Sequence, residues 1–267
     1  MDREGGEMNV SPPRVLMREM TWPEYAARIG DVVVILPVGS TEQHGPHLPL
    51  GTDSMQVVHA ARRVAEELGA IVAPTINYGY RSAPKSGGGE IFPGTISLSG
   101  ATMTVLVRDI LKAFIRHGAK RVVVMDGHYE NSMFLHEAIH LALEETGAQD
   151  VRIIKILWAE ALSQEALDQA FPDGFPGWAL EHAAHLETSA MAAIRPDLVV
   201  QDQIRPDGAK NLPLYDVYPQ PPNLVPASGV LADPSRASGA IGNMLFDDSV
   251  ARLVAAIRQA FPGEGGE

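Results

Sequence analysis

Val32-Val33-Val34-Ile35-Leu36-Pro37-Val38-Gly39-Ser40-Thr41-Glu42-Gln43-His44 decides the fold, because Val122-Val123-Val124-Met125-Asp126-Gly127-His128-Tyr129-Glu130 repeats its plan. Each stretch opens on a β-branched run that reads as a buried strand. Each closes on a carboxylate and an imidazole two residues apart. In extended chain, residues i and i+2 point to one side. Both motifs are therefore expected to aim one oxygen and one nitrogen at a common point. Asp53, in Gly51-Thr52-Asp53, adds a fifth candidate donor.

Outward from these motifs, strands and helices alternate. Thr21-Trp22-Pro23-Glu24 has capping-box spacing with a proline in the first turn, predicting a helix to about Gly30. Val57, Ala60, Ala61, Val64 and Leu68 recur at helical spacing over 54–68, closed by Gly69. Ile71-Val72-Ala73-Pro74 reads as a strand, and Val105, Ile110, Leu111, Phe114 and Ile115 mark a helix over about 101–117. Strand 121–126, helix 131–146, strand 151–157 and a last helix over about 247–260 follow. This alternation predicts an α/β fold, a three-layer α/β/α sandwich with a largely parallel sheet. Ligands of such sheets bind beyond the carboxyl ends of the strands, where both motifs and Trp158 fall. Residues 202–242, rich in proline and glycine, read as an irregular segment covering the site or an interface. Residues 1–13 read as a flexible lead ending at Pro12-Pro13, and residues 14–262 as one domain.

Of the 267 residues, 45% are hydrophobic and 20% charged, the balance of a globular enzyme with one sizeable core. A net charge of -12 without a basic patch argues against a nucleic-acid partner and favours a small polar substrate. The absence of cysteine rules out disulfides and thiolate metal sites and fits a reducing compartment. The acidic start, Met1-Asp2-Arg3-Glu4, is unlike a signal peptide, and no apolar run approaches membrane-spanning length. A cytoplasmic location with no membrane partner is the expectation.

Glu42, His44, Asp53, His128 and Glu130 are hard oxygen and imidazole donors. Such a set suits two divalent ions of the zinc or manganese kind. Three carboxylates and two neutral imidazoles would leave two such ions one residual positive charge, which a bridging hydroxide would cancel. Asp53 is the natural bridge between them. His47, nearby, reads equally as support for the ligands, as packing, or as solvent-facing.

Gly39-Ser40-Thr41-Glu42-Gln43-His44-Gly45-Pro46-His47 with Asp53, and Gly127-His128-Tyr129-Glu130-Asn131, resemble the signature of the creatininase family of metal-dependent amidohydrolases. The resemblance runs from about Glu19 to the last helix. Three further segments point to the branch of the family that opens the cyclic amide of creatinine to give creatine. They are Tyr78-Gly79-Tyr80-Arg81-Ser82 with Lys85-Ser86-Gly87-Gly88-Gly89, then Tyr129 to Phe134, and Gly177-Trp178-Ala179-Leu180-Glu181-His182 with Leu186-Glu187-Thr188-Ser189.

The resemblance implies one metal held by Glu42, His128 and Asp53, and another held by His44, Glu130 and the shared Asp53. It implies His182 as a proton shuttle, with Ser86, Tyr129 and Trp178 as substrate contacts, Trp158 as a second pocket tryptophan, and a homohexameric assembly. Glu181 is left as an orienting group for His182, a contact to the substrate amidine, or a helix-starting residue. Glu187 reads as support for its helix or for the site's surroundings. Read alone, either tryptophan is equally core, and the three glycines after Ser86 are equally a plain turn.

Three positions depart from the family pattern: Ala179 where aspartate is expected, Glu90-Ile91 where Asn-His is expected, and Asp126 where asparagine is expected. They bear on the substrate more than on the metals. A formamidopyrimidine deformylase, a peptidase for a modified peptide and a non-catalytic metal-binding scaffold are the other readings.

Overall fold

The computed structural model describes residues 14–262, so the lead expected over 1–13 lies outside the described residues. Four strands, β1 (Val33–Val38), β2 (Ile71–Val72), β3 (Arg121–Asp126) and β4 (Arg152–Leu157), form one sheet in the order β2-β1-β3-β4. Every pairing is parallel. Among the described residues, seven α-helices accompany them: α1 (Trp22–Ala26), α2 (Thr52–Leu68), α3 (Gly100–Arg116), α4 (Ser132–Thr146), α5 (Gln164–Ala170), α6 (His185–Ile194) and α7 (Gly239–Ala260).

Alternate residues of the central strands feed two separate cores. Ile35, Val123 and Met125 pack with α2, α6 and α7 on one face. Val34, Leu36, Val122 and Val124 pack with α3 and α4 on the other. Strands buried on both sides must be apolar at consecutive positions, which is why these runs carry no polar alternation. The result is the expected three-layer α/β/α sandwich. Val38 of β1 stands opposite Asp126 of β3, so the two central strands end level. The chain leaving each strand therefore enters the same crevice.

Most elements fall where the pattern puts them. α1 begins on the expected capping box, with Glu24 Oε2 accepting from the Thr21 amide at 2.7 Å, but gives way to turns after Ala26. α7 starts at Gly239, well before the expected 247. Ser238 caps it by accepting from Ile241 N at 3.3 Å. Gly239 and Gly242 lie inside this helix because α6 passes very close; a Cβ at Gly242 would stand 2.0 Å from the Ser189 carbonyl oxygen. The glycines that read as loop are a packing device. α5 and α6 are short helices tucked against α7. The chain from Ile204 to Ser238 is irregular, close to the segment expected to be so.

Gly242→Ala is expected to force α6 and α7 apart and to destabilise the fold by about 1–3 kcal/mol, the usual range for overpacking. Urea unfolding followed by circular dichroism measures it; an unchanged midpoint would show that the helices yield without cost.

Candidate metal centre

Asp53 sits in the first turn of α2, just past its N-cap Gly51, where the helix dipole favours a carboxylate. That turn is pressed between the ends of β1 and β3. A Cβ on Gly39 would meet Ser54 backbone at 2.7 Å, and one on Gly127 would meet the Asp53 carbonyl oxygen at 2.8 Å. Only glycine at both positions lets the helix come this close. Asp53 thereby lands between the two motifs: its Oδ1 is 3.0 Å from His44 Nε2, and its Oδ2 is 3.2 Å from His128 Nδ1. His128 Nδ1 also lies 2.8 Å from Glu42 Oε1.

The partner of His44 differs from the one expected. Glu187 Oε2, from the first turn of α6, lies 3.5 Å from His44 Nε2. Glu130 stands instead behind His128, its Oε2 3.4 Å from His128 Nε2. Its Oε1 accepts from the Ala83 amide at 3.2 Å and from the Ser86 hydroxyl. The cause is local. His128 is extended, but Tyr129–Asn131 is a turn of 3-10 helix, so the strand alternation stops at His128 and the Glu130 carboxylate meets the far nitrogen of that ring instead of His44. Three overlapping potential metal-holding groups result: Glu42, Asp53 and His128; His44, Asp53 and Glu187; and Glu42, His44 and His182.

The residues present fit a pair of divalent cations. All the donors but Glu187 are almost fully buried, and Glu42 Oε2, His44 Nε2 and Asp53 Oδ2 have no hydrogen-bond partner. Buried charges of this kind are retained only when paired or bound to metal. Burial pushes the Glu42 carboxyl up to about 7, offset in part by His128. Burial alone would lower the two imidazoles. The carboxylates of Glu187 and Asp53 outweigh it at His44, and those of Glu42 and Glu130 outweigh it at His128, holding both well above the ordinary histidine range. The carboxylates thus demand positive charge between them, and each imidazole turns one nitrogen toward that demand.

The surrounding residues separate into framework and pocket. His47 is buried, its Nε2 2.9 Å from the Thr188 hydroxyl, tying the first motif to α6. Asp126 Oδ1 accepts from His128 N and from Asn131 Nδ2, both at 3.1 Å, and Lys155 lies 3.8 Å from its other oxygen. Glu90 Oε1 accepts from the Ser82 amide at 3.1 Å and the Ser97 hydroxyl at 2.7 Å. Two of the three departures from the family pattern are therefore backbone supports. Ala179 lies in the 3-10 turn Trp178–Leu180 that borders the pocket.

Beside the donors lies a cavity of about 50 Å³ walled by Tyr129, Trp158, Trp178, Glu181 and Glu187, with Gln56 among its polar lining. Trp158 is at once wall and core, stacked on Phe246 with centroids 4.9 Å apart. Ser86 is not in that lining and reaches the site through Glu130. Burial raises the Glu181 carboxyl to about 8, and Glu187 adds to the effect. One Glu181 oxygen accepts from the Leu186 amide, while the other is unpartnered. His182 packs its ring on that of His44, with centroids 4.5 Å apart. Burial first, then the neighbouring His44, keeps it well below the ordinary histidine range. Glu187 was the donor hardest to find from sequence; its only signal is its place five residues after His182.

A family model described as "Creatininase: Creatinine amidohydrolase" matches residues 18–257. The chain is 44% identical over 254 residues to the creatinine amidohydrolase of Pseudomonas putida, covering 93% of this chain and 98% of that one. Among solved structures, a mutant creatininase complexed with creatine matches at a TM-score of 0.91 and 43% identity, over 93% of this chain and 99% of the other. A mutant creatininase of Zn-Zn type matches at 0.91 and 44% over the same shares, and a manganese creatininase at 0.90. With nearly its whole length aligned, its fold shared and its donors converging at the strand ends, the chain belongs to the creatininase family.

Proposed function

We propose that this protein hydrolyses the cyclic amide of creatinine to creatine, reversibly, using two divalent ions of zinc or manganese. The observation that carries this reading is the division of Asp53 between two imidazoles, one oxygen facing each, beside an aromatic cavity. Glu42, Asp53 and His128 would hold one ion, and His44, Asp53 and Glu187 the other. Bound there, the pair supplies water activated at neutral pH and Lewis-acid stabilisation of charge on a carbonyl oxygen.

The remaining work belongs to the chain. Creatinine is flat and small, and the faces of Trp158 and Trp178 offer it stacking and attraction for partial positive charge. Glu181, kept protonated near neutrality by burial, offers a hydroxyl donor to the substrate at the cavity wall. Tyr129, half exposed, borders the entrance. Ser86 and Glu130 brace each other behind His128. Ring opening breaks a carbon–nitrogen bond, and the departing nitrogen needs a proton. His182, held below the ordinary histidine range, gives it from a ring nitrogen and regains a proton from the water consumed.

A formamidopyrimidine nucleotide would require cations for its phosphate. Neither lysine nor arginine lines the cavity beside the donors, and Lys85 is engaged with Asp216 at 3.1 Å. That favours the small amide. We further read residues 14–262 as a single unit that acts in creatinine breakdown in the cytoplasm. No described helix is long and apolar enough to cross a membrane. Exposed Leu214, Tyr215 and Tyr218 on the irregular segment give a homo-oligomer, by resemblance a hexamer, apolar area to cover.

Three outcomes are expected. Metal-loaded wild type releases creatine from creatinine, and a chelator abolishes this until zinc or manganese is returned; turnover of formamides or other lactams with creatinine untouched would overturn the substrate. His182→Ala lowers kcat by about 10²–10⁴-fold, the range for a lost proton-transfer group, and keeps both metals by atomic absorption; unchanged kcat would remove His182 from the chemistry. Glu187→Gln retains about one metal per chain instead of two, as expected when one of three protein ligands is lost. Retention of two would take Glu187 out of the ligand set.

A further inference from the structure

Gln43 lies between two metal-site residues, and its side chain sits in a cage of backbone groups. Its Oε1 accepts from Gly45 N at 2.8 Å. Its Nε2 donates to Gly87 O at 3.1 Å and to Gly229 O at 2.9 Å. One amide hydrogen and two carbonyls, none of which can change polarity, fix which end of the amide is oxygen. The cage is built for this side chain. A Cβ on Gly88 would come within 2.8 Å of Gln43 Nε2, and one on Gly229 within 2.0 Å of its Oε1. Both glycines also have φ near +80°, where other residues are strained.

The same Nε2 is 2.8 Å from His182 Nε2. A carboxamide nitrogen is a donor and not an acceptor. A hydrogen on His182 Nε2 would therefore be set against the amide hydrogens, whereas a lone pair there can share one of them. The neutral ring must carry its hydrogen on Nδ1. The polarity of three backbone groups is thus passed through one amide to one imidazole, as a ring's tautomer is set by the bond its other nitrogen makes.

We propose that Gln43 is the positioning residue of His182, fixing its orientation and its Nδ1–H tautomer. Nδ1 then carries the hydrogen to give, while Nε2 keeps its lone pair turned to the Gln43 amide. His182 O also accepts from Leu231 N at 3.1 Å, so the irregular segment ties down the backbone of the same residue. The proposal rests on the assignment of His182 to proton exchange.

The test needs no variant to begin. In metal-free protein labelled with ¹⁵N-histidine, with the His182 signals identified by their loss in His182→Ala, the neutral ring should show its hydrogen on Nδ1. A hydrogen on Nε2 would overturn the proposal whatever the activity. Kinetics then asks whether Gln43 acts through His182. Gln43→Met should lower kcat about tenfold or more in otherwise wild-type enzyme, with KM changed by less than about threefold and metal content intact. In a His182→Ala background the same change should cost less than about threefold, because residues acting as a unit are non-additive. Equal losses in both backgrounds, or a loss that tracks metal content, would make Gln43 a mere structural support. Wild type inactive on creatinine would sink the substrate reading and leave the tautomer result standing.

Discussion

The rest of the site depends on one shared carboxylate. Asp53 offers one oxygen to an imidazole from each of two loops, and it can do so only because α2 begins wedged between the ends of the central strands. Bringing three carboxylates into so dry a crevice costs several kcal/mol per charge unless opposite charge is supplied. That cost explains the surroundings: imidazoles turned inward, donors orphaned of hydrogen bonds, and glycines where the chain must pass close. Stability and chemistry make opposing demands here, and the parallel sheet with its two apolar cores provides the rigidity that holds them together.

Much of this was legible in the sequence. Val33–Val38 and Arg121–Asp126 are buried on both faces, so their consecutive apolar residues announced central parallel strands. The motifs after them, with Asp53, named four of the six clustered donors. What could not be read was local geometry past the strand ends. The two-residue alternation was extended through Glu130, where the chain has already turned into a 3-10 helix. Glu187 approaches from α6, a helix whose ten residues are buried on most sides and show little amphipathic stripe. Gly242 read as loop because nothing in a one-dimensional pattern distinguishes a glycine that bends the chain from one that admits a neighbour.

Trp158 and Glu90 show how function and framework share residues. Trp158 packs against Phe246 and also borders the cavity, so core and wall are not exclusive places for one side chain. Glu90, an apparent deviation beside the site, serves to pin the loop that carries Ser86. Differences from a family pattern are therefore informative only once their hydrogen bonds are known.

The span of chain gathered by Gln43 has a consequence for how the molecule is made. It meets His182 across 139 residues and Gly229 across 186, and contacts of such separation close late because loop-closure entropy must be met first. A nascent chain emerging from the ribosome can pair its central strands and collect Glu42, Asp53 and His128 long before the residues that cap the crevice exist. Glu187, which completes the second donor group, is thus the last of these donors to be made.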